Sequence, residues 1–368
     1  MSIKILTGDC RTVLATLADN SVNCVVTSPP YFGLRDYGVD GQIGLEENPD
    51  AFVAEMVGVF SECRRVLVKD GTLWLNLGDS YASAWACSRR NIVGNGSLEN
   101  GKREARSNRL VGGLKEKDLI GIPWRVAFAL QADGWYLRDA IVWAKPNGMP
   151  GSQQDRCTSS YEMIFLMSKS KTYWSDFDAI KTPPRESSLA RTAQDLQAQA
   201  GSHRANAGGK TNGSMKAVGV KASSSTLGGG AHGRHSYGEN IPAKERRSDK
   251  QRGHGRVHAG FNDRWDQMTR EGQQSMPVMM RNVWFVPPAQ FKEAHYAVMP
   301  EEIARRCILA GCPEGGMVLD PFGGAGTTGL VADKLHRNAT LIELNPKNVE
   351  MARGRLKNDS PLFAEVAA

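Results

Sequence analysis

The sequence predicts an α/β protein built on an open, mostly parallel sheet, and three features carry that prediction. Short, almost continuously apolar runs alternate with segments of helical periodicity between residues 3 and 77. The same alternation resumes between residues 300 and 343, around a glycine-rich stretch. Between these flanks the composition shifts to Gly, Ser, Ala, Lys, Arg and His, which marks an insertion and not more of the same core.

Ile3 to Leu6 reads as a short strand ending at Gly8-Asp9, and a helical stretch follows from about Arg11, with Val13, Leu14 and Leu17 on one face. Val22 to Thr27 is apolar almost throughout, as a strand buried on both faces should be. Phe32 to Asp50 is rich in Gly and Asp and reads as a loop. Ala51 to Leu67 is helical, with Phe52, Met56, Val59 and Phe60 on its apolar side, and Asp70-Gly71 turns the chain into a strand over Thr72 to Leu77. Ser83 to Lys117 lacks periodicity and reads as a loop. Ile122 to Asp133 returns to helix, and Trp135 to Trp143 and Tyr161 to Met167 form two more strands. Lys145-Pro146-Asn147-Gly148-Met149-Pro150 separates them, and its prolines prevent a regular element. Late in the chain, Pro300 to Ala310 is a helix and Met317 to Asp320 a strand. Thr327 to Leu335 is a helix, and Ala339 to Glu343 is the last clear strand.

At 368 residues and 40% hydrophobic content the chain has room for one large α/β domain with a sizeable insertion. A net charge of +7 and a pI near 9.0 point to a polyanionic partner. The basic stretch from about Pro183 to Met276 fits either a flexible linker or an arm that orders on a phosphate backbone. It holds His203, His232, His235, His254 and His258, but these lack metal-ligand spacing backed by cysteines, so no metal is expected. Seven scattered cysteines without a C-x-x-C pair argue against a disulfide framework. With no apolar run long enough to span a bilayer, a soluble, cytoplasmic protein is expected.

Ser28-Pro29-Pro30-Tyr31 closes the strand Val22 to Thr27 and is poorly suited to ladder formation. Neither proline has an N–H to give, and both have fixed φ, so the carbonyls around them are held rigidly. Together with the Ser28 hydroxyl they are acceptors beside the flat face of Tyr31, an arrangement suited to a planar group bearing an NH2. Asp320-Pro321-Phe322-Gly323-Gly324-Ala325-Gly326-Thr327-Thr328-Gly329 follows a strand and opens a helix. Gly324, Gly326 and Gly329 form a G-x-G-x-x-G, and Glu343 ends the next strand about twenty residues on, which is the layout of an adenosine-ligand site. A nicotinamide enzyme is the usual rival. Asp320 opposes it, since a carboxylate there faces a pyrophosphate unfavourably but suits an ammonium.

In these blocks and their order the sequence resembles the amino-methylating DNA methyltransferases that use S-adenosylmethionine, in the permuted arrangement called the beta class. Gly8-Asp9-Cys10, Ser21-Val22 and Thr27 to Tyr31 resemble the family's first block, and Asn76-Leu77-Gly78-Asp79-Ser80 its next strand. Trp143 to Asn147, through Tyr161-Glu162, resembles its β-hairpin block. His295-Tyr296-Ala297 with Pro300, then Asp320 to Thr328, and Ile342 to Asn345 resemble the closing cofactor block.

The resemblance implies a Rossmann-like, circularly permuted methyltransferase sheet with a terminal β-hairpin. It divides the chain into a catalytic half over 1–182, a basic target-recognition insertion over 183–280, a cofactor-binding half over 281–358 and a tail over 359–368. It implies that Phe322 and the loop of Gly324, Gly326 and Thr327 hold the cofactor's methionine end, Asp320 its ammonium and Glu343, with Asn345 beside it, its ribose. Asp9 would bind the adenine amino group, although a helix cap is the plainer reading of an Asp at that place. Ser28 and the Pro29 carbonyl would accept from the amine of a flipped base, with Pro30 stiffening the turn and Tyr31 stacking on the base. Phe32 or Trp143 would line the other side, and Lys145 and Arg156 would contact DNA. The partner implied is double-stranded DNA, with a homodimer and a cognate restriction endonuclease left open. Serine before the two prolines favours cytosine N4 over adenine N6. Protein-glutamine methylation fits less well because its enzymes place the cofactor loop before the Pro-Pro-Tyr. RNA methylation and a non-catalytic DNA-binding module are the remaining readings.

Overall fold

The computed structural model describes residues 1–82, 113–148, 151, 153–184, 269, 272, 276–289 and 298–359, with a last strand at 365–367. The basic stretch over 185–268 with its histidines, most of the Ser83 to Lys117 loop and His295-Tyr296-Ala297 lie outside the described residues. The chain divides into two compact units, Met1–Ile180 with Met279–Ala368, and Lys181–Val278. In the second, Thr182 and Val278 bridge antiparallel, each N–H donating to the other's carbonyl.

The first unit carries the sheet. Its strands are β1 (Ser2–Thr7), β2 (Val22–Thr27), β3 (Leu67–Leu77), β4 (Tyr136–Ala144), β5 (Tyr161–Ser168), β6 (Val283–Phe285), β7 (Met317–Asp320), β8 (Asn338–Glu343) and β9 (Glu365–Ala367). They lie side by side in the order β6-β4-β5-β3-β2-β7-β8-β1-β9. Every described pairing is parallel except those of β5, which runs antiparallel to both β3 and β4. The helices are α1 (Cys10–Leu14), α2 (Pro49–Val66), α3 (Ile122–Ala132), α4 (Glu301–Gly311), α5 (Thr327–Lys334) and α6 (Pro346–Asp359).

The period of two along the strands sorts the core into two layers. Val25, Leu73, Leu75 and Leu77 point to the side where α2 brings Phe52, Met56 and Phe60. Cys24, Val26 and Trp74 point the other way, to Ile303, Cys307 and Ile308 of α4. Helix α2 starts where Asn48 accepts the Ala51 N–H at 2.8 Å, with Pro49 in the first turn where its missing N–H costs nothing.

Four elements differ from expectation. Strand β3 begins at Leu67, with no intervening turn at Asp70-Gly71. Leu67 pairs with Val22 and the register then shifts, so that Thr72 pairs with Cys24 and the exposed Lys69 and Asp70 sit in a bulge. Helix α1 is a single short turn-and-a-half of five residues. Strands β6 and β9 extend both edges of the sheet, so the β4–β5 hairpin is flanked by a further parallel strand.

Gly311, at the end of α4, meets the sheet at close quarters. A Cβ there would lie 2.2 Å from Trp74 Nε1 and 2.6 Å from Thr72 Oγ1, both buried. Gly311→Ala is expected to cost about 1–3 kcal/mol through overpacking, read as a lower urea midpoint at unchanged slope.

Candidate active site

The neighbouring strands β2, β7, β8 and β1 all run parallel, so their C-terminal ends share one rim. Sequence places Ser28, Asp320, Glu343 and Asp9 at or next to those four ends. Ligands of open α/β sheets bind at such a rim. A cavity of about 180 Å³ opens here, and all four residues line it, with Pro30, Phe322, Gly324, Thr327 and Asn345.

Asp320 is the best-held group of the site and is 4% exposed. Thr27 Oγ1 donates to its Oδ1 at 2.6 Å, Thr328 Oγ1 to its Oδ2 at 2.7 Å, and the Phe322 N–H to Oδ1 at 3.0 Å. One carboxylate thereby ties the last residue of β2 to the first turn of α5. Burial pushes the carboxyl up to about 6 against the pull of these donors, and the Glu343 charge adds to the rise.

Glu343 closes the glycine loop from the other side. Its Oε2 accepts the Gly324 N–H at 2.7 Å, and its Oε1 accepts the Asn345 N–H at 2.8 Å and Asn348 Nδ2 at 3.2 Å. The Asn345 side chain caps α6 by accepting the Lys347 N–H. Thr327 Oγ1 accepts from Arg355 at 3.1 Å. Asp9 takes the cap geometry: its Oδ1 accepts the Arg11 N–H at 2.9 Å at the start of α1. The Arg11 guanidinium also grips the Asp9 carboxyl, which holds it below the usual carboxylate range.

Arg11 does a second job that sequence reasoning missed. It donates to the Gly41 carbonyl at 2.7 Å and to Glu55 at 3.1 Å, so it pins the 33–44 loop to α1 and α2. Tyr37, Val39, Gln42 and Ile43 of that loop form one wall of the cavity. A segment whose elements give no periodic signal offered no handle on this role.

Beside the cavity, Tyr31 donates its hydroxyl proton to Glu162 Oε2 at 2.5 Å, and Ser28 Oγ lies 3.4 Å from the Tyr31 oxygen. Asn76 Nδ2 is 2.9 Å from both the Tyr31 hydroxyl and Glu162 Oε2, and 3.3 Å from Ser28 Oγ. Burial, and the carboxylate next to it, raise the Tyr31 phenol well above its ordinary range, so it stays protonated. The Tyr31 ring lies on the backbone of Gly78, where a Cβ would come within 2.6 Å of it. Asn76 and Glu162 fall in blocks that carry the family resemblance but have no role assigned there, although each is a polar residue set in an apolar strand.

Two expected base contacts are corrected. Phe32 is 4% exposed and packs on Phe52 at 5.7 Å, because the chain turns inward after Tyr31. Trp143 is equally buried, on the face of β4 that joins the Trp74 and Trp284 layer, and its Nε1 donates to the Val286 carbonyl at 2.8 Å. Both belong to the core. Lys145 pairs with Glu162 and lies 4.6 Å from the centre of the Trp143 ring. Arg156 stacks on the Tyr81 ring at 3.6 Å. Cys10 also lines the cavity, but burial pushes its thiol up to about 12, which leaves it a poor nucleophile.

The DNA methylase family model of N6 and N4 methyltransferases matches residues 22–354. The chain belongs to this family. The methylase is 37% identical over 361 residues to the type II methyltransferase M.Cfr9I of Citrobacter freundii, covering 98% of this chain and 90% of that one. It is 37% identical over 357 residues to M.SmaI of Serratia marcescens, covering 96% and 91%. In fold it is similar to a DNA modification methylase of Thermus thermophilus complexed with S-adenosyl-L-methionine, with a TM-score of 0.52, 21% identity and full coverage of both chains. The PvuII DNA methyltransferase, described as cytosine-N4-specific, matches with a TM-score of 0.55 at 14% identity over 96% of this chain and 87% of that one.

S-adenosylmethionine is the methylase's cofactor, and the donor set of the cavity fits it. A carboxylate offers about four acceptor positions, and Asp320 uses three, which leaves one for an ammonium. Among the described residues no group of three or more His, Cys, Asp or Glu could hold a metal ion, and no helix is long and apolar enough to cross a membrane.

The raised Asp320 value has a sign that can be tested. Between 3.8 and about 6 the folded state keeps a proton that the unfolded chain has released. The stability contributed by this carboxyl therefore falls as pH rises across that window, by on the order of 3 kcal/mol. In melts over the same window the methylase should lose stability relative to Asp320→Asn as pH rises; parallel curves would contradict the burial of this charge.

Proposed function

We propose that the methylase transfers the methyl group of S-adenosylmethionine to the exocyclic amine of a flipped base in double-stranded DNA, with cytosine N4 as the target. The observation that carries this reading is the shared cavity. Ser28 and Pro30 line the same cavity as Asp320, Phe322 and the glycine loop, although almost 300 residues of sequence lie between them.

An amine on an aromatic ring is a poor nucleophile, because its lone pair is delocalised into the ring. Ser28 Oγ and the Pro29 carbonyl accept hydrogen bonds from its two N–H groups and turn the remaining lone pair out of the ring plane, and the nitrogen, once methylated, releases one of those protons to solvent. They also hold the nitrogen in line with the reacting methyl, where orientation lowers the barrier. When bound, the cofactor supplies a methyl on a positively charged sulfur, and Asp320, Glu343 and the glycine loop keep it in place. No covalent bond from enzyme to base is needed, which agrees with the protonated Cys10. A base in a duplex cannot reach this cavity, so it has to leave the stack, with Tyr31 as the aromatic surface that receives it.

Serine before Pro29-Pro30 supports cytosine as the target through its resemblance to cytosine-N4 enzymes. The likeness to relatives named type II methyltransferases supports site-specific action, paired with a restriction endonuclease of the same specificity. Mass spectrometry of nucleosides from DNA treated with the enzyme is expected to show N4-methylcytosine, and N6-methyladenine alone would overturn the choice of base. Ser28→Ala with Tyr31→Ala is expected to lower methyl transfer by at least about 10²-fold while cofactor binding survives. Full activity in that double variant would sink the assignment of the grip.

A further inference from the structure

The Ser28–Tyr31 grip stands on a set of polar groups, of which the family resemblance leaves Glu162 and Asn76 without a role and reads Lys145 as a DNA contact. They come from three neighbouring strands, Asn76 from β3, Glu162 from β5, and Lys145 from just beyond β4. Glu162 sits across from Trp143 in the hairpin register, next to the end of β3 where Gly78 carries the Tyr31 ring. The Glu162 side chain is 12% exposed and that of Lys145 22%.

Hydrogen-bond directions in this cluster follow from what each group can do. An ionised carboxylate only accepts, and the Lys145 ammonium only donates. Lys145 occupies Glu162 Oε1, so Oε2 is left to Tyr31 and Asn76. Tyr31 must therefore spend its single proton on Glu162. Its oxygen is left as an acceptor towards Ser28. Asn76 is oriented by the same carboxylate, since the reverse amide orientation would set Oδ1 against Glu162. In that orientation its Oδ1 is buried without a partner and its NH2 faces Glu162, Tyr31 and Ser28. With Tyr31 accepting, the Ser28 proton points to Tyr31 and away from the cavity. Of the two lone pairs of Ser28 Oγ, Asn76 Nδ2 approaches one at 3.3 Å, and the other remains to accept on the cavity side. Reversing the Tyr31 bond would turn the Ser28 hydroxyl into a donor towards an amine that has no lone pair to spare.

We propose that Glu162 is a positioning residue for methyl transfer: held by Lys145 and Asn76, it fixes the hydrogen-bond direction through Tyr31 so that Ser28 meets the target amine as an acceptor. This rests on the reading of Ser28-Pro29-Pro30-Tyr31 as the amine grip. It touches neither cofactor nor base, and its effect belongs in kcat.

The test uses the full chain, radiolabelled S-adenosylmethionine and unmethylated genomic DNA. Glu162→Gln can donate to Tyr31 and so permits the reversed chain; it is expected to lower kcat by about 10²-fold. Cofactor Kd, DNA KM and melting temperature should stay close to wild type. Glu162→Asp keeps an acceptor-only group and should recover at least about tenfold of that loss. Tyr31→Phe should lower kcat to a similar degree, and adding Glu162→Gln to it should do no further harm, because both act through one bond. Wild-type kcat in Glu162→Gln, an Asp variant no better than the Gln variant, or additive losses with Tyr31→Phe would each overturn the proposal. So would equal losses in kcat and cofactor affinity, which mark a merely structural residue. Wild-type kcat in Ser28→Ala would instead overturn the grip itself, so the two failures are told apart.

Discussion

The site depends on one buried carboxylate. Asp320 holds Thr27, Thr328 and the Phe322 amide at once, and through them the end of β2, the first turn of α5 and the head of the glycine loop. Thr27 is followed directly by Ser28, so the carboxylate that orders the glycine loop also sets the strand end from which the proposed base grip projects. Keeping it ionised at neutral pH is costly in so dry a place, as its raised pKa shows. A fold concerned only with stability would have a hydrophobic residue at this position. A site that must bring a cationic methyl donor to a neutral amine has reason to keep the charge.

Around that centre the polar groups fall into two sets that share little. On the cofactor side, Glu343 gathers the Gly324, Asn345 and Asn348 donors, and Arg11 pins the 33–44 loop that walls the cavity. Behind Ser28, Glu162 gathers Tyr31, Asn76 and Lys145. Each set is organised by one acidic residue at a strand terminus. The apolar layers beneath them, Phe52 and Phe60 on one face and Trp74 and Trp284 on the other, keep the strand ends in register.

Much of this was legible in the sequence, because it is written in short-range patterns. The strands β1, β2, β7 and β8 are apolar runs, and the glycine loop and Ser-Pro-Pro-Tyr are contiguous. Their convergence followed from parallel topology alone. What stayed hidden depends on partners distant in the chain. Trp143 is read as lining the far side of a flipped base or as core, and the alternation of β4 turns it to the core. Phe32 directly follows Tyr31 and is nonetheless drawn in by Phe52. Glu162 opens an apolar strand, and only the pairing of β4 with β5 sets it beside Lys145 and Tyr31. The three-residue strands β6 and β9 are too short to leave a period, and the bulge in β3 is a property of its pairing with β2.

The permuted order also bears on how the molecule is assembled. Strand β1 precedes the other described strands in the chain, yet its described partners are β8 and β9, with Ile3 set against Ala339 and Val366. Until nearly all the intervening chain has been made, its apolar Ile3 and Ile5 have no sheet to join, while β2 and β3 can already pair. Contacts so distant in sequence are slow to close. The cofactor cavity, walled by both Asp9 and Glu343, therefore cannot exist on a partial chain. An unfinished methylase is silent by construction, and β1 is the segment that a chaperone would have most cause to hold.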